Sequence, residues 1–336
     1  MPPASSAAGD RIPSRRHVLA GMGTLGGALL LPRLAACGVQ LEEGAPRIPF
    51  MPTRTPIPGE AALLALAGDT EATAQVCRSS TSPVASALVA IHENQADVLA
   101  ALMGSAGVPG SLIPATGAPP TSAPKAVEDV AAAEGTALTL LPRLALAPTS
   151  IRPTLVAILA QRAAAAQILS GVAAVIPPPS QAPQWPPSSA AVFLQATRSA
   201  IYGFEVVAAQ GDAATAKASG RALDRLNALV SEQQARLERH QLPVQPGYVL
   251  PFPVATPAAA TRLGRQIAAG LLTAYGTRLT PDDPANTGAT MPDQVSWMGQ
   301  AQLLAYAWAS PLAAFPGMSE PVGQGDTRAT AQEPQT

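Results

Sequence analysis

Three histidines, two cysteines and 22 acidic side chains are what this chain of 336 residues offers for metal or acid–base chemistry. A two-cation carboxylate site in a helical bundle needs inward Glu from two helices and Glu-x-x-His from two others, because several anionic oxygens must neutralise both ions. No Glu-x-x-His occurs here: Ala96 stands three residues after Glu93, and Gln241 three after Glu238. His17 lies near the N-terminus, which leaves His92 and His240. Glu71, His92 and Glu93 are the available metal candidates. Adjacent helical positions point about 100° apart, so His92 and Glu93 do not both face inward, and a solvated polar face is the plainer reading. Glu232, Glu238, Arg239 and His240 read as a charged helix end before Pro243. The chain has no Gly-x-Gly-x-x-Gly after a strand, no Gly-x-x-x-x-Gly-Lys phosphate loop and no Gly-x-Ser-x-Gly elbow. No cofactor is expected, and catalysis is the less favoured reading.

The cysteines separate by position. Ser14-Arg15-Arg16-His17-Val18-Leu19 has the twin-arginine form of an export signal. The apolar run Val18–Leu31 that follows is diluted by Gly21, Gly23, Gly26 and Gly27, and is shorter than the roughly 20 residues of a membrane span. It closes on Leu34-Ala35-Ala36-Cys37-Gly38, which resembles a bacterial lipobox. The expectation is a signal peptide over 1–36, lipidation at Cys37, and stable anchoring by two acyl chains where one gives only marginal binding. Cys77 then has no partner for a disulfide, and a buried helical thiol is the simpler reading than a reactive one. Export of folded cargo is compatible with a cofactor loaded before export or with a fast-folding domain.

Bulk composition narrows the partners. A formal charge of -1 argues against nucleic acid, which demands a basic surface. With 47% hydrophobic but only 4% aromatic residues, the core must be built mainly from Ala, Leu, Val and Ile.

Proline clusters at 46–58, 109–124, 177–187, 243–257 and 281–292 punctuate the chain, since proline is costly inside a helix. Between them apolar residues recur with a 3.6-residue period. The spacing predicts helices over about 59–78, 83–104, 125–146, 151–176, 188–210, 221–241, 258–279 and 293–315, and no strand. Short links alternate with one long connection in each half. The expected fold is all-α: two tandem four-helix bundles of the ferritin-like, long-crossover plan. They span 59–176 and 188–316, with a Pro-rich tether over 37–58, a Pro-rich linker over 177–187 and a disordered tail over 317–336. The aromatics Trp185, Tyr248 and Phe252 fall in Pro-rich stretches and are expected to pack over helix ends.

Two segments carry a family resemblance. Ala191-Val192-Phe193-Leu194-Gln195-Ala196-Thr197-Arg198-Ser199-Ala200-Ile201-Tyr202-Gly203-Phe204 resembles the opening helix of an actinobacterial ferritin-like domain of unknown function. Tyr248-Val249-Leu250-Pro251-Phe252-Pro253-Val254 resembles the same family and is the more distinctive piece. The resemblance covers 188–316, and 59–176 only in plan. It implies a helical fold and export as a lipoprotein, and no established activity. Where that family's opening helix tends to carry an acidic residue followed by His, this chain has Thr197 and Arg198; the last helix of the first half offers Gln161 and Arg162. A guanidinium repels a cation, so the resemblance does not extend to a di-iron centre.

Gln233 falls on the apolar stripe of its helix with Val230 and Leu237, and a polar group in a core must be paired. The expected partners are Arg198, Tyr202 and Glu205, forming a polar cluster in place of a metal site, with surface placement as the simpler alternative. The favoured reading is a non-catalytic binding or scaffolding module of the cell envelope, anchored at Cys37 on the extracytoplasmic face of the cell membrane. Its partner would be an envelope protein or a small molecule. The rivals are an atypical metal-binding or oxidase protein of the ferritin-like type, and a small-molecule carrier with an apolar cavity of a few hundred Å³.

Overall fold

The computed structural model describes residues 54–114, 125–179, 181–237, 242–243 and 245–319. Arg15, Arg16 and Cys37, expected to form the export signal and lipid site, and Glu238–His240, expected to end a helix, lie outside the described residues. Thr55 onward forms one compact unit.

Proline marks where helices begin. A prolyl ring fixes φ near the helical value and lacks only an N–H that the first turn leaves unpaired anyway. Pro83, Pro153, Pro187, Pro257 and Pro292 each occupy the first or second position of a helix. The helices are α1 (Glu60–Arg78), α2 (Pro83–Ser105), α3 (Val127–Thr136), the single turn α4 (Leu141–Leu144), α5 (Arg152–Ser170), α6 (Pro187–Gln210), α7 (Ala213–Leu237), α8 (Pro257–Gly276) and α9 (Met291–Ala307). Among the described residues there is no strand, only an isolated bridge between Ser80 and Lys125. The all-α expectation holds, and none of these helices is long and apolar enough to cross a membrane.

Three predicted helices end early: the last, 293–315, stops at Ala307, and two others stop for local reasons. The segment 125–146 breaks after Thr136 into a 3-10 turn, Ala137–Leu140, before α4 resumes with Pro142 in its first turn. The segment 151–176 stops at Ser170 because Gly171 takes a left-handed φ of 72°, the usual helix-ending conformation. Val172 and Val175, expected on its apolar stripe, are therefore exposed.

The two halves repeat one packing order. In the first, α1 packs on α2 and on α3, and α3 on α5; in the second, α6 packs on α7 and on α8, and α8 on α9. The halves are not separate bodies, however. α5 packs closely along α9, and buried residues from Ala62 to Phe315 form one continuous apolar cluster. The stretch 177–187 is correspondingly no free linker. Trp185 within it is buried and stacks on Trp297 at 4.6 Å, with Phe193 edge-on at 5.6 Å and Tyr275 beyond. An aromatic core thus exists despite the low aromatic content, concentrated in the second half.

After α9 the chain returns across the molecule. Phe315 is buried and Met318 packs on the core. Gly317, with φ 69°, lies against Gly276, where an added Cβ would come within 1.9 Å of the Gly317 carbonyl oxygen. Backbone cannot swing aside as a side chain can. Gly276→Ala is therefore expected to displace the 309–318 segment and to cost about 1–3 kcal/mol, read as a lower urea midpoint; an unchanged midpoint contradicts the packing described.

Candidate functional site

The most densely polar point of the interior sits where four helices of the first half converge. On α1, Asp69, Thr73 and Cys77 recur every fourth residue and so share one face. α2 contributes His92 and Gln95, α3 contributes Glu134, and α5 contributes Gln161 and Arg162. His92, Gln95, Glu134, Gln161 and Arg162 are all wholly buried.

Donor and acceptor geometry orients the cluster. Gln95 Nε2 donates to Gln161 Oε1 at 3.0 Å and to the Ala314 carbonyl at 2.9 Å. Its Oε1 is thereby turned toward His92 Nδ1, 3.1 Å away, so that ring nitrogen carries the hydrogen. His92 Nε2 then faces Glu134 Oε1 at 2.7 Å. Arg162 ion-pairs with Asp69 through Nη2, which also donates to Thr73 Oγ1 at 2.9 Å. Its Nη1 lies 3.3 and 3.4 Å from the two His92 ring nitrogens and 3.4 Å from Glu134 Oε2. The one guanidinium thus sits between two carboxylates, as a buried charge demands partners. Burial pushes the Asp69 carboxyl above its ordinary range, and the Arg162 charge and hydrogen bond offset part of that rise. Burial also pushes the Cys77 thiol up to about 12, with the Glu134 carboxylate adding to it.

The sequence candidates for metal divide at this point. His92 is central. Glu93 is on the opposite, exposed side, paired with Arg78, as the 100° offset requires. Glu71 is half-buried and is not among the groups that meet at His92. The group that brings ligand atoms together is Cys77, His92 and Glu134, with one atom from each lying within 4.8 Å of the others. Glu134 was not anticipated. Its signal was a lone carboxylate in the run Ala131-Ala132-Ala133-Glu134, flush with an apolar face.

The second half has a smaller and neutral polar centre. Gln233 is buried on α7 as its stripe requires, but its partners differ from those expected. Gln233 Nε2 donates to Tyr275 Oη at 2.7 Å, Tyr275 Oη lies 2.6 Å from Thr197 Oγ1, and Thr197 Oγ1 donates to Gln233 Oε1 at 2.8 Å. With the tyrosyl hydroxyl donating to Thr197, every hydrogen bond of the three-membered ring is satisfied in one direction. Burial raises the Tyr275 phenol to about 12. Arg198, Tyr202 and Glu205 stay outside this ring. Arg198 donates to the Leu242 and Pro243 carbonyls, Tyr202 tilts against Tyr248, and Glu205 is exposed. The reason is angular: Thr197 points to the centre, so Arg198 beside it turns about 100° away. Glu232 accepts a hydrogen bond from Trp297 Nε1 at 3.3 Å.

A separate apolar groove of about 530 Å³ runs between α3, the end of α5 and the extended stretch after it. Ala131, Ala132, Leu138, Ala166, Leu169 and Val175 line it. It opens on the surface.

Comparison with known proteins adds one likeness. Residues 189–320 match a family described as a domain of unknown function, DUF4439. No curated protein and no solved structure matches the chain. The second helical group is therefore similar to that domain, while 54–188 stands outside the match.

Proposed function

We propose that this chain is a lipid-anchored lipoprotein on the extracytoplasmic face of the cell membrane, acting as a non-catalytic binding or scaffolding module. Its two helical groups are tandem ferritin-like bundles fused through α5 and α9. The single observation that carries the reading is the wholly buried Arg162. Its guanidinium lies among Asp69, Glu134 and His92, where a carboxylate-bound pair of cations would have to sit. A fixed positive charge there discharges the carboxylates and leaves no room for two further ions. The second group supports the same reading, because Thr197, Gln233 and Tyr275 are neutral and already satisfy one another. The repeated packing order of the two halves supports the tandem arrangement, and the lipobox-like Leu34–Gly38 supports the anchor.

Two measurements test this. Radiolabelled palmitate is expected in the wild-type chain and absent from Cys37→Ala; equal labelling removes the anchor. Purified protein given Fe(II) and oxygen is expected neither to retain a pair of iron ions per chain nor to speed iron oxidation. Catalysed oxidation returns the chain to the di-iron class.

A further inference from the structure

We propose that Cys77, His92 and Glu134 bind a single borderline divalent cation of the zinc class, beside Arg162 rather than in its place. This goes beyond the scaffolding reading, because one structural ion is compatible with a module that performs no catalysis.

Two observations lead there. The ligand atoms come from three helices, α1, α2 and α3, are buried, and lie within 4.8 Å of one another. Tetrahedral zinc with bonds of about 2.0–2.3 Å sets its ligands about 3.3–3.8 Å apart. Reaching that spacing takes inward shifts of no more than about 1.5 Å, while His92 Nε2 and Glu134 Oε1, now 2.7 Å apart, open slightly. A mixed sulfur, nitrogen and carboxylate set suits zinc and leaves a fourth position for water. Second, Glu134 Oε2 is buried with no hydrogen-bond partner, and its contact with Arg162 at 3.4 Å is an ion pair only. An anionic oxygen left unbonded in a dry core is costly, and a coordinated cation removes that cost. Arg162 is held by its pair with Asp69 and lies beside Glu134 at 3.4 Å. On coordination the Cys77 thiol gives up its proton to solvent and binds as thiolate. Being wholly enclosed, the ion enters before the helices close, as with other metals whose binding is coupled to folding.

The test uses the full chain, folded with zinc or cobalt(II) supplied and then dialysed against a weak chelator. About one metal ion per chain is expected in the wild type, with at least a roughly tenfold loss in Cys77→Ala and Glu134→Gln. Cys77→Ala places a small apolar side chain in a buried site, so its circular dichroism and cooperative melt report whether the fold survives. The cobalt form is expected to show a thiolate-to-cobalt charge-transfer band that Cys77→Ala lacks, a signature no purely structural thiol produces. Wild-type protein that emerges without stoichiometric metal, or lacks the cobalt band, overturns the site. So does a folded Cys77→Ala that retains as much metal as the wild type. The iron-oxidation assay is unaffected either way, so the two readings fail separately.

Discussion

Arg162→Met is expected to lower the unfolding free energy by about 3–5 kcal/mol, the usual consequence of removing one partner from a buried ion pair. Methionine occupies similar volume and leaves little cavity. What remains is the Asp69 carboxylate without its counter-ion, and Glu134 with only its contact to His92. The loss is therefore electrostatic, and a double-mutant cycle separates it from packing. Asp69→Asn in the Arg162→Met background is expected to recover part of the loss, because it deletes the stranded charge. Asp69→Asn alone is expected to destabilise, because it strands the guanidinium. Urea denaturation of the four proteins measures this, and strictly additive changes would show that Arg162 and Asp69 are not coupled.

The second large effect is alkaline. Burial lifts the Tyr275 phenol from 10.0 to about 12 and, in the metal-free chain, the Cys77 thiol from 9.0 to about 12. Both folded values lie above the unfolded ones, so the fold favours the protonated forms. The stability they carry is complete below the unfolded values and is lost as pH rises toward 12. Each unit is worth about 1.4 kcal/mol, so Tyr275 alone costs about 2–3 kcal/mol across that window. Denaturation midpoints are expected to fall steeply between pH 9 and 12. Tyr275→Phe is expected to be less stable at neutral pH by about 1–3 kcal/mol, since Gln233 and Thr197 lose a partner, yet to show a shallower alkaline decline. A wild-type midpoint that holds flat to about pH 11 contradicts this account of Tyr275.

Helix content was legible because Ala and Leu runs with a 3.6-residue period leave no other use for the chain, and because proline stands at helix starts. Boundaries failed where one residue overrode the period. Gly171 ended α5 six residues before the apolar pattern did, and the break after Thr136 was hidden in a run still rich in Leu. Gln233 announced its burial by sitting on a stripe. Its partners did not announce themselves, because Thr197 and Tyr275 each look like ordinary helix residues until three helices are brought together. Glu134 was illegible for a related reason: one carboxylate in an alanine run gains meaning only from the histidine 42 residues earlier and the arginine on α5. The fused core of the two halves depends on α5 meeting α9, a pairing that no local spacing encodes.

The bond from Gln95 to the Ala314 carbonyl spans 219 residues. Chains emerge from the ribosome at roughly 5–20 residues per second, so on the order of 10–40 s separates the synthesis of these two partners. The amide that orients His92 has to wait that long for its second acceptor. The N-terminal half cannot mature ahead of the C-terminal half, so the order of translation does not set the order of folding, and a nascent first half would need a chaperone or water to satisfy its interior until the last strap arrives.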